Sequence, residues 1–147
     1  MKKLLMIAIV GLLMSAQGFA QKAAVYNTAG NAIHGYDAVA FFNKKAPEKG
    51  KAEFSYKWQD ANWQFANKEN LEAFKAAPEK YAPQYGGYCA YGTAEGHKAP
   101  TEIDTWTIVD DKLYFNYNKE VKKMWMKDKH HLIEKADKNW PGIKDKE

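Results

Sequence analysis

A single cysteine, Cys89, stands among the 147 residues, so no internal disulfide can hold the fold and its stability has to come from a packed core. Long apolar runs are as scarce. The run 4–14 falls short of the roughly 20 residues that span a bilayer, and no later run matches it. Charge of one sign is not in large excess either, with 22 basic residues against 18 acidic ones. The lysines are interspersed with acids rather than bunched with stacking aromatics, which leaves nucleic-acid binding little electrostatic footing. Lys122, Lys123, Lys127 and Lys129 read as one solvated helix face. Fixed-period repeats and low-complexity linkers are missing too. Gly86, Gly87 and Gly92 lack the lysine and preceding strand of a phosphate loop, and Asp110-Asp111 lacks the spaced oxygens of a calcium loop. No serine triad is visible, and Asp37, Glu53, Glu102 and Asp104 give no signal of a catalytic carboxylate pair.

The chain opens with Lys2 and Lys3, the apolar run 4–14 and a small-x-small end at Gly18-Phe19-Ala20. That pattern reads as a secretory signal peptide cut after Ala20, with residues 21–147 forming one domain. No cysteine near the cut could accept a lipid, so the expected product is exported to the periplasm or secreted, with no integral membrane segment. Export removes two lysines and leaves 20 basic residues facing 18 acidic ones.

Residues 25–28 read as a short strand, and 33–42 as an extended unit that is apolar at its end. Phe54, Tyr56 and Trp58, then Trp63 and Phe65, alternate with polar residues on either side of Gln59-Asp60-Ala61-Asn62, which predicts a hairpin. Asn67 caps a helix with Leu71 and Phe74 on one face and Pro78 as its stop. A second hairpin follows, 106–109 with 113–117, turning at Asp110-Asp111-Lys112. Asn118 then caps one long helix whose stripe is Val121, Met124, Trp125, Leu132, Ile133 and Ala136, interrupted by Asp128 and ending at Asn139-Trp140-Pro141-Gly142 before a frayed tail. The expected fold class is α+β: a single small domain, a mainly antiparallel sheet of two hairpins, and two or more helices packed on it.

Chemistry concentrates in the stretch 81–92, which holds four tyrosines, three glycines and Cys89. Adjacent glycines admit positive φ and the close approach of another backbone or a ligand. Tyr36, Asp37, Tyr85, Gly86, Gly87 and Tyr88 are therefore candidate ligand-lining residues. Cys89 is the candidate metal donor or nucleophile, with His34 as its partner, and a buried structural thiol is the competing reading. His97, beside Lys98 in a loop, is a weaker partner. Met126 and His130, four residues apart on the expected long helix, form a secondary thioether and imidazole pair suited to copper.

The runs HGYDAVAFF (34–42), WQFANKENLEAFKAAPEKYAPQYGGYCAYG (63–92), WTIVDDKLYFNYN (106–118) and ADKNWP (136–141) resemble the exported YHS-domain-containing proteins of bacteria. The resemblance implies a YHS-like fold across nearly the whole exported chain. It also marks a departure. Ala40, Ala66 and Asn70 stand where related metal-handling domains carry cysteines, so the usual metal site is expected to be absent. The expected function is a periplasmic binding module rather than an enzyme, its ligand a transition metal, copper before zinc, held by Cys89 and a histidine. Two alternatives stand beside it: a small-molecule or thiol-redox protein using Cys89, and a metal-free domain that docks another exported protein.

Overall fold

The computed structural model describes residues 23–146; the expected signal peptide, at 1–20, lies outside the described residues. The chain enters through β1 (Asn27–Thr28) and β2 (Asn31–Ala32), turned by Ala29 and Gly30 at positive φ. The unit expected to be extended is not. Ile33, His34 and Gly35 all take positive φ in a tight left-handed turn, and α1 (Ala40–Asn43) follows within five residues. Buried Asp37 drives that second bend, because its Oδ1 accepts the N–H groups of Val39 at 2.8 Å and Ala40 at 3.2 Å.

The expected first hairpin is β3 (Lys51–Trp58) and β4 (Ala61–Phe65), with Tyr56 opposite Trp63. Gln59 and Asp60 both have positive φ, the primed turn whose twist matches paired strands, so the loop is two residues long and Ala61 already belongs to β4. The sheet runs β1-β2-β4-β3, antiparallel apart from the β2 and β4 pairing. Next comes α2 (Lys68–Ala76), capped by Asn67, whose Oδ1 accepts the Asn70 N–H at 2.8 Å. Pro78 ends it and starts α3 (Pro78–Tyr81), where its missing N–H costs nothing.

Cys89 is the N-cap of α4 (Ala90–Ala94), so part of the loop expected beyond Gly92 is helical. The second hairpin is β5 (Thr107–Val109) and β6 (Lys112–Tyr114), turned by Asp110 and Asp111 at positive φ. Its turn chemistry is that read from the sequence.

The expected long helix is two: α5 (Lys119–Lys127) and α6 (Lys129–Ile143), broken at Asp128 with φ −142° and ψ 38°. Trp125, Leu132 and Ala136 are buried, whereas Met124 is 46% exposed and leaves the expected stripe. The end of α6 also differs from expectation. The helix passes through Pro141 to Ile143, and Lys144 N–H still reaches the Trp140 carbonyl at 2.8 Å. Trp140 is held by the rings of Tyr85 and Tyr88, so tertiary packing outweighs the one hydrogen bond a proline removes. The tail is docked as well, since buried Lys98 donates to the Lys146 carbonyl at 2.7 Å.

Two hydrophobic clusters result. The larger joins the hairpin β3-β4, α1 and α2 through Phe41, Trp63, Phe65, Phe74, Leu113 and Phe115. The smaller packs Tyr85, Val109, Tyr114 and Trp125 against α4 and α6. The fold is a small α+β domain with an antiparallel-rich sheet, and among the described residues no helix is long and apolar enough to cross a membrane.

Candidate functional site

Asp37 is fully buried, and its carboxylate accepts four N–H groups. Besides Val39 and Ala40, Oδ2 takes the Ala66 N–H at 2.9 Å and the Asn70 side-chain amide at 2.7 Å. Ala40, Ala66 and Asn70, the three positions where cysteines were missed, thus converge on one carboxylate. Ala40 and Ala66 reach it through their backbone N–H groups and Asn70 through its side-chain amide, so every partner of that carboxylate is a donor and the centre serves as a polar hub between α1, β4 and α2. Tyr36 is half-buried against the larger cluster, next to this hub and not part of it.

Cys89 is 2% exposed and committed to its helix end. Its Sγ accepts the Gly92 N–H at 3.4 Å and donates to Asn116 Oδ1 at 3.6 Å. Burial pushes the thiol pKa up, and the N–H groups of Gly92, Tyr117 and Tyr91 draw it only part of the way back. That is the reverse of the electropositive setting that activates a nucleophilic thiolate. His34 is turned to other partners. Its Nε2–H donates to the Thr101 carbonyl at 2.8 Å, which leaves Nδ1 to accept from the Thr28 hydroxyl at 3.4 Å. The Tyr26 ring covers it edge-on, with centroids 5.6 Å apart.

The glycines admit a close approach, and what approaches is the chain's own N-terminal segment. Tyr26 N–H bonds to the Gly86 carbonyl at 2.9 Å, and a Cβ at Gly86 would overlap the Ala24 carbonyl oxygen. Tyr88 clamps the same segment, its hydroxyl donating to the Ala23 carbonyl at 2.6 Å. Tyr85 instead reaches α6, donating to Asp137 Oδ1 at 2.9 Å. Gly87 is tied to Thr101, whose hydroxyl donates to its carbonyl at 2.7 Å. Thr101 therefore links the left-handed turns at His34 and Gly87, a role for which a lone threonine in a loop carried no signal.

Met126 and His130 do not share a helix face, because the break at Asp128 puts them on α5 and α6. Among the described residues no group of three or more His, Cys, Asp or Glu side chains is placed to hold a metal ion.

A roomy concavity lies elsewhere, a groove of about 610 Å³ between α1, β5 and α5. Phe41, Phe42, Trp106 and Ile108 form its apolar wall, with Lys45 and Lys122 among its polar groups. The wall is fixed from behind: the Phe41 ring lies 5.6 Å from Trp106 and 5.5 Å from Phe115, centroid to centroid. Its size falls in the range of small-molecule sites. Sequence reading saw Trp106 only as the start of a strand and Lys122 only as part of a solvated face; nothing local showed that α1 would be brought between them.

No protein-family model matches the chain, and neither a curated protein nor a solved structure matches it.

Proposed function

We propose that this chain is an exported binding domain of the YHS type that works without a metal at Cys89, with the groove between α1, β5 and α5 as its binding surface. The groove is the observation that carries the reading. It is a concave aromatic wall held in place by the larger core, whereas the Cys89 thiol and the His34 ring are already engaged within the fold. A wall that needs no reorganisation loses little entropy on taking up a ligand. Catalysis by Cys89 is disfavoured by the buried thiol's raised pKa. Export rests on residues 1–20, so the mature chain is expected to begin at Gln21 when sequenced from a periplasmic or culture fraction.

The test is a pair of titrations followed by amide and indole NMR. Cu(I) and Zn(II), in competition with a chelator, are expected to show no tight stoichiometric uptake by the reduced chain. Small apolar compounds are expected to shift Phe42, Trp106 and Ile108. Stoichiometric metal uptake that Cys89→Ser abolishes would overturn this reading in favour of copper or zinc at that thiol.

A further inference from the structure

We propose that the groove between α1, β5 and α5 takes a small organic anion with an apolar body, the body lying on Phe42, Trp106 and Ile108 and the anionic head on Lys122 and Lys45. This inference rests on the groove being the binding surface and adds the chemistry of what binds there.

The charge pattern selects an anion. Lys122 also lines an adjoining concavity of about 530 Å³ with Lys119, Lys123 and Lys127, so five lysines border the two together with Lys45. Only Asp104 and Asp111 oppose them among the lining residues, and Asp104 is already paired with Lys119 at 3.2 Å. A concave surface with one sign in excess concentrates ions of the other sign.

Lys122 is the group placed to hold the head. It is half-buried, and its Nζ donates to the Trp106 carbonyl at 3.0 Å. An ammonium has three N–H bonds, so that carbonyl fixes its position and leaves two donors for a ligand oxygen. Burial lowers the Lys122 pKa, with the Asp104 charge acting against that shift and Lys119 adding to it. A bound carboxylate would supply the countercharge that burial lacks. The apolar wall sets the other half of the specificity, since a bare inorganic anion would leave Phe42, Trp106 and Ile108 in water.

The experiment titrates the purified chain with decanoate, 1-decanol and inorganic phosphate, read by calorimetry and by the Trp106 indole signal. Decanoate is expected to bind in the groove, at least about tenfold more tightly than decanol, with an affinity that falls as salt is added. Lys122→Gln is expected to weaken decanoate about tenfold while leaving decanol unchanged, on the scale of one charged hydrogen bond. Lys45→Gln, at an exposed position, should act in the same direction and guards against a folding defect in the first variant. Decanol binding as tightly as decanoate would overturn the anion and leave the groove standing. Phosphate binding as tightly as decanoate would overturn the apolar body. No shift at Trp106, Phe42 or Ile108 with any of the three would overturn the groove itself.

Discussion

Asp37 shows what one residue can organise. Four donors from three segments end on its two oxygens in a fully buried place, so removing the carboxylate orphans four N–H groups at once. Asp37→Ala is expected to cost about 3–5 kcal/mol in urea unfolding, the range for stripping the partner from buried polar groups. Asp37→Asn should recover little, because its amide would point N–H bonds at the Ala66 and Asn70 donors. A loss below about 1 kcal/mol for both variants would mean that water reaches the hub and replaces the carboxylate. The residue types at 37, 40, 66 and 70 were legible as a set, and so was their lack of thiols. Their meeting point was not, because residues 29 and 33 positions apart are joined only by the packing of α1 and α2 on β4. Cys89 is the complementary case. Its chemistry is visible in one letter, but the Asn116 side-chain oxygen and the Gly92 backbone N–H that occupy it are brought there only by the fold.

At the scale of elements, turns and caps were the most legible features, since they depend on a few neighbouring residues. Asn67 and Asn118 both cap as expected, and both hairpins form about two-residue turns with positive φ. Features decided by distant contacts were not legible. The break at Asp128 lets α6 swing onto α4, where Asn139 donates to the Thr93 and Ala94 carbonyls, and its one local sign is Asp128 itself, a charged residue interrupting the apolar stripe. The N-terminal segment is the clearest example, because Val25 is buried and the Ala24 carbonyl lies against Gly86. Gly86→Ala adds a Cβ at φ +62° where a backbone oxygen already sits, so the segment has to move. The expected result is a loss of about 2 kcal/mol or more, with new proteolytic cuts confined to residues 23–28 while both hairpins stay protected. Unchanged protection of that segment would show that the left-handed turn, not the segment, gives way.

The whole molecule carries two cores of different chemistry, and they should respond differently to pH. The larger cluster is almost entirely hydrocarbon and aromatic, whereas the smaller one buries tyrosine hydroxyls beside carboxylates. Burial raises the pKa of Tyr114 to about 12, and the charges of Asp137 and Asp110 add to it. Burial also raises Tyr85, together with its hydrogen bond to Asp137, and Tyr88 moves in the same direction for the first of these reasons. A group whose folded pKa lies above its unfolded value stabilises the fold fully below the unfolded pKa, and that contribution is lost as pH rises through the folded one. For Tyr114 the window runs from its ordinary 10.0 to about 12, and Tyr85 and Tyr88 act with the same sign. Stability in urea is therefore expected to fall steadily above pH 10, beginning with the contacts of α4 and α6. Tyr114→Phe removes one titrating hydroxyl and should flatten that fall, moving the alkaline midpoint upward even if neutral-pH stability is unchanged. Stability that stays level through pH 12 in the wild-type chain would mean that these hydroxyls reach solvent, and that the smaller core is open where the structure packs it closed.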